Sequence, residues 1–270
     1  MEVLSRYKRE DFDEVIRICK QHISIDNVDD VYQSAREAVS DKFTSGNLIK
    51  ELQARWYQSL RNGVPDFSVY NDSNYFADIW SCWVMYSRKN IGCLANRMDK
   101  LQGRSVVEYI STKKNVLDLG CGFGYTTAGA REIFPSAGNV YGSNLDDTWQ
   151  FKVAAEIGRR HDFTVVGDIF NLVDIDVVCA FEYFEHIHNP IEHVYEIITK
   201  LRPRFIVTAN AFNGIAIGHF TSYGHMDKTF SPKKMNLIFN KALRYLGYEK
   251  LDTNFWNGRP RVWKFVGVKK

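Results

Sequence analysis

The chain has 270 residues, 45% of them hydrophobic, and a formal charge of +3. That length supports one large domain or a core domain with an appendage, and the composition can fill a sizeable core. The small charge excludes a compulsory nucleic-acid partner while leaving room for a local basic patch, and no stretch reaches the roughly 18–20 continuous apolar residues of a membrane span. The opening MEVLSRYKRE lacks the apolar core of a signal peptide, so the expected location is the cytoplasm. Cys19, Cys82, Cys93, Cys121 and Cys179 are scattered singly, which fits free thiols in a reducing compartment, and no CxxC pair marks a zinc site.

Up to about residue 110 the pattern is helical. DFDEVIRICKQHI, DVYQSAREAVSDKF and NLIKELQARWYQSL repeat apolar residues at spacings of three and four, and Asn62-Gly63 with Pro65 closes the third. The next stretch, SNYFADIWSCWVMYSRKNIGCL, places Tyr75, Phe76, Trp80, Trp83 and Tyr86 near helical spacing. The plain reading is a helix buried against the core; the sharper one puts some of these rings over a planar ligand.

From about residue 113 the period changes. NVLDLG, NVYGSNL, FTVVGD, DVVCAFEYF and RFIVTANAF read as strands, alternating with helices through TTAGAREIF, TWQFKVAAEIGRRH, PIEHVYEIITKL and SPKKMNLIFNKALRYLG. YEKLDTNFW, the turn Asn257-Gly258-Arg259-Pro260 and RVWKFVGV read as an antiparallel hairpin added at the end. The fold class is therefore α/β: a doubly wound, mainly parallel sheet with a C-terminal antiparallel hairpin, preceded by a helical N-terminal region.

Within NVLDLGCGFGYTTAGA, glycines occupy positions 120, 122 and 124, directly after a strand and ahead of a helix. Ligands bind at that edge of open α/β sheets, and a path of glycines lets backbone and ligand approach without a Cβ between them. The GxGxG spacing is one residue shorter than the dinucleotide fingerprint, and there is no P-loop lysine. Asp118, at the strand end, suits a ligand carrying an ammonium group. The segment VLDLGCGFG resembles the first motif of the class I methyltransferases that use S-adenosylmethionine, a resemblance covering residues 113 to about 255.

The resemblance implies a Rossmann-like methyltransferase fold in which Asp118 and the loop Gly120, Cys121 and Gly122 hold the amino-acid part of that cofactor. It puts Asp168 and Ile169 by the adenine and Phe181 at the end of the strand before the catalytic segment. It also implies 111–270 as the cofactor-binding domain, while the aromatic-rich helices of region 1–110, with the insertion FNGIAIGHFTSYGH, are expected to form a lid or substrate-binding part. The family ends the strand NVYGSNL in an acid for the ribose hydroxyls; here Asn144, followed by Leu145, holds that place. An amide offers one acceptor and an NH2 donor in place of two anionic oxygens, with Asp146 two residues on as a substitute.

CAFEYFEHIHNP resembles the family pattern in which ExxEH follows a strand. A helical turn there would project Glu182, Glu185 and His186 to one side. Those three, with His225 from SYGHMDKTFSPKKM, a loop leading into a helix, match a divalent-metal set for Mg or Mn; alternatively they face the substrate without metal, with His186 or His225 as general base, or serve structure alone. The combination is similar to the ubiquinone-pathway O-methyltransferases and to the small-RNA 3′-terminal 2′-O-methyltransferases. His188 and His193 are expected to be exposed, and His219 to be a further candidate for the site.

The function expected is O-methylation of a small or medium-sized acceptor, with His186, His225, Glu182 and Glu185 as catalytic candidates. A nucleic-acid acceptor is open but not favoured, since no basic stripe is visible. A non-enzymatic binding module and a nicotinamide-dependent oxidoreductase are the readings from other classes.

Overall fold

The structure is a computed structural model that describes residues 10–22, 29, 47–96, 100–255 and 258–267. In the N-terminal region these include helices α1 (Glu10–His22) and α2 (Asn47–Arg61). The helix expected over 30–43 lies outside the described residues, as does Asn257 of the C-terminal turn. Phe67–Asn71 forms a 3-10 turn capped by Asp66, whose carboxylate accepts from the Ser68 N–H. Helix α3 (Tyr75–Cys82) runs without a break through a π-helical turn at Trp83–Ser87 into α4 (Arg88–Ala95), the Arg88 N–H donating to the Trp83 carbonyl five residues back. A short ribbon, β1 (Lys100–Leu101) with β2 (Arg104–Ser105), leads into α5 (Val106–Ile110), which starts at a capping box of Ser105 and Glu108.

The remaining elements alternate: β3 (Asn115–Leu119), α6 (Tyr125–Ile133), β4 (Val140–Ser143), α7 (Trp149–His161), β5 (Thr164–Val166), β6 (Ile175–Phe181), α8 (Pro190–Leu201) and β7 (Phe205–Ala209). After them come the ribbon β8 (Tyr223–His225) and β9 (Lys228–Phe230), helix α9 (Pro232–Tyr245), β10 (Tyr248–Lys250) and β11 (Arg261–Phe265). The sheet order is β10-β11-β7-β6-β3-β4-β5, parallel except where β11 pairs antiparallel with β7 and β10. Strand β6 shows why: all seven of its residues are buried, as required of a central strand covered by helices on both faces. The mainly parallel sheet and the C-terminal antiparallel pair agree with the sequence reading. The segment SYGHMDKTF departs from it, forming the β8–β9 ribbon in place of a loop.

The N-terminal helices and the sheet share one apolar core, with Val15, Ile18 and Trp56 in the same buried cluster as Val177 and Val207. Glu14 of α1 pairs with Arg160 of α7. Trp56 fastens α2 to the segment between β7 and β8: it is fully buried, its ring meets Phe220 edge-on, and its Nε1–H donates to the His219 carbonyl at 2.7 Å. The neighbouring Tyr57 hydroxyl donates to the Ala216 carbonyl at 3.2 Å. We expect Trp56→Phe, which keeps most of the ring but removes the donor, to cost about 1–2 kcal/mol in urea denaturation. Trp56→Ala, which also leaves a void, should cost about 3–5 kcal/mol.

Candidate active site

Leu119 of β3 lies beside Ala180 of β6 in a parallel pair, so the glycine loop and the 182–186 segment leave the sheet at the same edge. The loop takes left-handed backbone angles at Gly120, Gly122 and Gly124. A Cβ at Gly120 would lie 2.6 Å from the Tyr183 ring, and one at Gly124 2.7 Å from Phe163, so neither position accepts a side chain without movement. The Gly120 N–H donates to Ser143 Oγ and the Cys121 N–H to the Ser143 carbonyl. With those donors turned toward β4, the loop offers the space above it bare backbone at Gly120 and Gly122, beside the Cys121 and Phe123 side chains.

Two adjoining cavities meet over this loop. One, of about 370 Å³, is bordered by Asn144, Leu145, Gln150, Asp168, Ile169 and Tyr183. The other, of about 490 Å³, runs between the glycine loop, the α3–π segment and the 211–219 loop, with Asp78, His219 and Arg259 in its wall. Tyr75, Ile79, Gly120, Gly122, Glu182 and His186 border both. The aromatic stretch therefore divides: Phe76 and Trp80 are core, packed against Phe123 and Tyr125, while Tyr75, Trp83 and Tyr86 face the larger cavity.

The segment after β6 is not one helical turn. Glu182 has φ +50, in the left-handed region that a non-glycine residue adopts only where its surroundings hold it, and a short 3-10 turn begins afterwards at Phe184. The expected common face is broken as a result: Glu182 and His186 border the cavity, while Glu185 is fully buried. Glu185 Oε1 accepts from the Ala211 N–H at 2.5 Å, and Oε2 has no partner among the described residues. Burial, and then the charge of Glu182, push the Glu185 carboxyl well above the usual carboxylate range. Glu182 is also raised, by burial, with the Arg259 charge opposing.

The Tyr70 hydroxyl lies 3.1 Å from His186 Nδ1, and the His186 ring meets His219 edge-on at 4.8 Å. His219 Nδ1 is 3.0 Å from the Gly214 carbonyl oxygen, which can only accept, so Nδ1 carries the proton and Nε2 the lone pair. Burial lowers the basicity of both rings, His186 further because of the neighbouring His219. Both imidazoles are therefore neutral near pH 7.

The other candidates are placed as follows. Asp118 is buried beneath the loop, accepting from the Thr127 hydroxyl at 2.7 Å, and borders neither cavity. Cys121 and Phe181 border the larger cavity. Asn144 uses its amide locally, donating to the Gly122 carbonyl at 2.9 Å and accepting from the Leu145 N–H at 3.0 Å. Asp146 packs against Gly167. Asp168 caps the 3-10 turn Ile169–Asn171 while bordering the smaller cavity.

Two expectations need correction. His193, expected to be exposed, borders the smaller cavity with Nε2 2.9 Å from the Tyr183 hydroxyl, because the first turn of α8 packs against the Tyr183 and Phe184 rings. The metal set Glu182, Glu185, His186 and His225 is not assembled: His225 sits on β8 with Nδ1 2.7 Å from Glu192 Oε1, away from both cavities. Among the described residues no group of three or more His, Cys, Asp and Glu side chains could hold a metal ion. Sequence reasoning missed Asp78, Tyr70 and Arg259; an acid inside the aromatic stretch and an arginine in the C-terminal turn were the available signals.

A profile of the methyltransferase domain family matches residues 95–238, more than half of the chain. No curated protein sequence matches the chain at a significant level. Among solved structures, the mitomycin 7-O-methyltransferase MmcR is similar with a TM-score of 0.52 at 12% identity, over 87% of this chain and 67% of that one. The Methanococcus jannaschii fibrillarin pre-rRNA processing protein aligns at 15% identity and TM-score 0.41, over 57% of this chain and 66% of that one, just under two thirds of its length. A ribosomal protein L11 methylase of Lactobacillus delbrueckii aligns at 14% identity and TM-score 0.40, over 58% and 72%. At these identities the likeness is one of fold. Among the described residues, no helix is long and apolar enough to cross a membrane.

The family implies S-adenosylmethionine, and the cavities fit it. Gly120 and Gly122 adjoin both, and Gln150 Oε1, buried beside the smaller one, has no hydrogen-bond partner among the described residues.

Because the raised Glu185 carboxyl holds its proton more tightly in the folded chain than in the unfolded one, its contribution to stability is complete below the unfolded pKa near 4.5. That contribution is lost as pH rises through the folded value. Glu185→Gln copies the protonated form, so its melting temperature should exceed the parent's at pH 8 and match it near pH 4. Each 1 kcal/mol would read as roughly 2–4 °C.

Proposed function

We propose, from the premise that the chain belongs to the methyltransferase domain family, that it transfers a methyl group from S-adenosylmethionine to a hydroxyl of a small or medium-sized molecule. The observation that carries this reading is His219, whose tautomer leaves Nε2 unprotonated and whose side chain borders a cavity continuous with the glycine loop. A hydroxyl acceptor gains most from such a base, because its proton must leave as the new bond forms.

In this reading the smaller cavity takes the adenosine part. Asp168 and Ile169 lie at the base, Asn144 and Leu145 at the ribose, and Gly120, Cys121, Gly122 and Phe181 along the amino-acid part. When bound, S-adenosylmethionine supplies a methyl group on a sulfonium, whose carbon–sulfur electron pair returns to sulfur as the acceptor oxygen takes the carbon. The acceptor enters the larger cavity between α3 and the 211–219 loop, so the N-terminal helices act as a substrate-binding wall. His219 Nε2 takes the hydroxyl proton, and the Gly214 carbonyl on Nδ1 stabilises the imidazolium that results. His186, held by Tyr70, orients the acceptor and adjoins His219, while Glu182 accepts a second donor of the acceptor. Glu185 fixes the Ala211 backbone at the start of the loop that carries His219. Holding acceptor and methyl group in line contributes roughly 7–11 kcal/mol in well-oriented systems, and a general base roughly a hundred- to ten-thousand-fold.

Calorimetric titration with S-adenosylmethionine and S-adenosylhomocysteine, followed by a screen of hydroxylated acceptors for methyl transfer, tests the proposal; failure to bind either ligand would sink it. With an acceptor in hand, His219→Ala should lower kcat by roughly 10²–10⁴-fold with little effect on cofactor affinity, whereas His225→Ala should leave kcat within about twofold of the parent. Since burial lowers the His219 pKa below 6.5, its base form persists into mildly acidic solution. The acid limb of kcat assigned to this residue should therefore fall below pH 6.5, and a limb at or above that value would count against His219.

A further inference from the structure

Asp78 has no structural employment. It lies on α3 with Ser81 and Cys82 three and four residues on, and these residues border the larger cavity together with Gly120, Cys121 and Gly122. Part of its surface is open to the cavity, but the carboxyl is otherwise closely surrounded by protein, and burial raises its pKa to about 7. No hydrogen bond or ion pair to the Asp78 carboxyl is present among the described residues.

The groups packed around it cannot serve it. The Tyr57 hydroxyl is committed to the Ala216 carbonyl and the Tyr70 hydroxyl to His186. Tyr75, buried, and Cys82, half-buried, are neutral, their pKa values raised above the ordinary ones. Arg259 is the one Lys or Arg side chain on this cavity among the described residues, and its charge acts on Glu182. A carboxylate so placed is costly unless a cation meets it.

Asp118, the acid that the glycine motif offers for a ligand ammonium, is unavailable: it is sealed under the loop and bonded to Thr127. Helix α3 is also close to the loop, since a Cβ on Gly122 would lie 3.0 Å from Ile79 Cγ2, the residue next to Asp78. From this placement we infer that Asp78, on the N-terminal helix, is the carboxylate that binds the ammonium group at the amino-acid end of S-adenosylmethionine. The inference rests on the methyltransferase reading. It gives α3 a second duty: the helix that walls the acceptor cavity also closes over the cofactor.

The test is calorimetric titration of the full chain and of Asp78→Asn with S-adenosylhomocysteine, S-adenosylmethionine and 5′-methylthioadenosine, which lacks the amino-acid part. Asp78→Asn should weaken S-adenosylhomocysteine and S-adenosylmethionine about 10- to 100-fold, the range for loss of one charged hydrogen bond, and leave 5′-methylthioadenosine within about twofold. Its ligand-free melting temperature should not fall, since the change removes an unpaired buried acid, and retained 5′-methylthioadenosine binding confirms a folded site. Unchanged S-adenosylhomocysteine affinity, or parallel weakening of all three ligands, overturns the assignment. Weakening of S-adenosylmethionine alone places the carboxylate at the sulfonium and overturns it too. Absence of binding to the parent chain overturns the methyltransferase reading itself, which separates the two failures.

Discussion

Parallel pairing of β3 with β6 is the constraint on which the rest of the site depends. Two parallel neighbours must release their chains at the same edge, and the next strand on each side, β4 or β7, is reached only by a helical crossover. That forces the glycine loop and the Glu182 turn into contact, close enough for the Tyr183 ring to fill the space where a Gly120 side chain would stand. The left-handed backbone on both sides of the gap, at Gly120 and at Glu182, follows from the same geometry: each chain turns sharply out of the sheet before it can start its next element.

Around that edge, Asp78 excepted, the acids and imidazoles are held uncharged or shielded. His186 and His219 on the cavity wall are neutral, Glu185 behind that wall is pushed toward its protonated form, and Glu182 has Arg259 to oppose its rise. Such a site does not depend on strong surface fields, in keeping with the small net charge of the chain. Orientation by directional bonds dominates instead: the Gly214 carbonyl decides which nitrogen of His219 carries a proton, and Trp56, 163 positions earlier, holds the carbonyl of the same residue.

The fold was legible because its signals are local. Strand and helix periods alternate, and the glycine loop is a contiguous string whose conformation needs those residues. The site was legible only in part, for reasons that can be traced. ExxEH has helical spacing, but the exit from a parallel strand twists Glu182 into a left-handed conformation and sends Glu185 inward. His225 was grouped with that motif by chain order, whereas a ribbon and Glu192, 33 residues away, take it elsewhere. Asp78, His219 and Arg259 reach one cavity from three distant segments, and no spacing rule records such a meeting.

The π-helical turn at Trp83–Ser87 gives the acceptor wall a separate means of adjustment. A π turn amounts to one extra residue accommodated within a continuous helix, and four of its five residues, Trp83, Met85, Tyr86 and Ser87, border the larger cavity. A related chain lacking that residue would keep the same helix, but its side chains beyond the deletion would be rotated by about 100°. Substrate preference can therefore drift by gain or loss of a single codon in this stretch, while the glycine loop and His219 remain as they are.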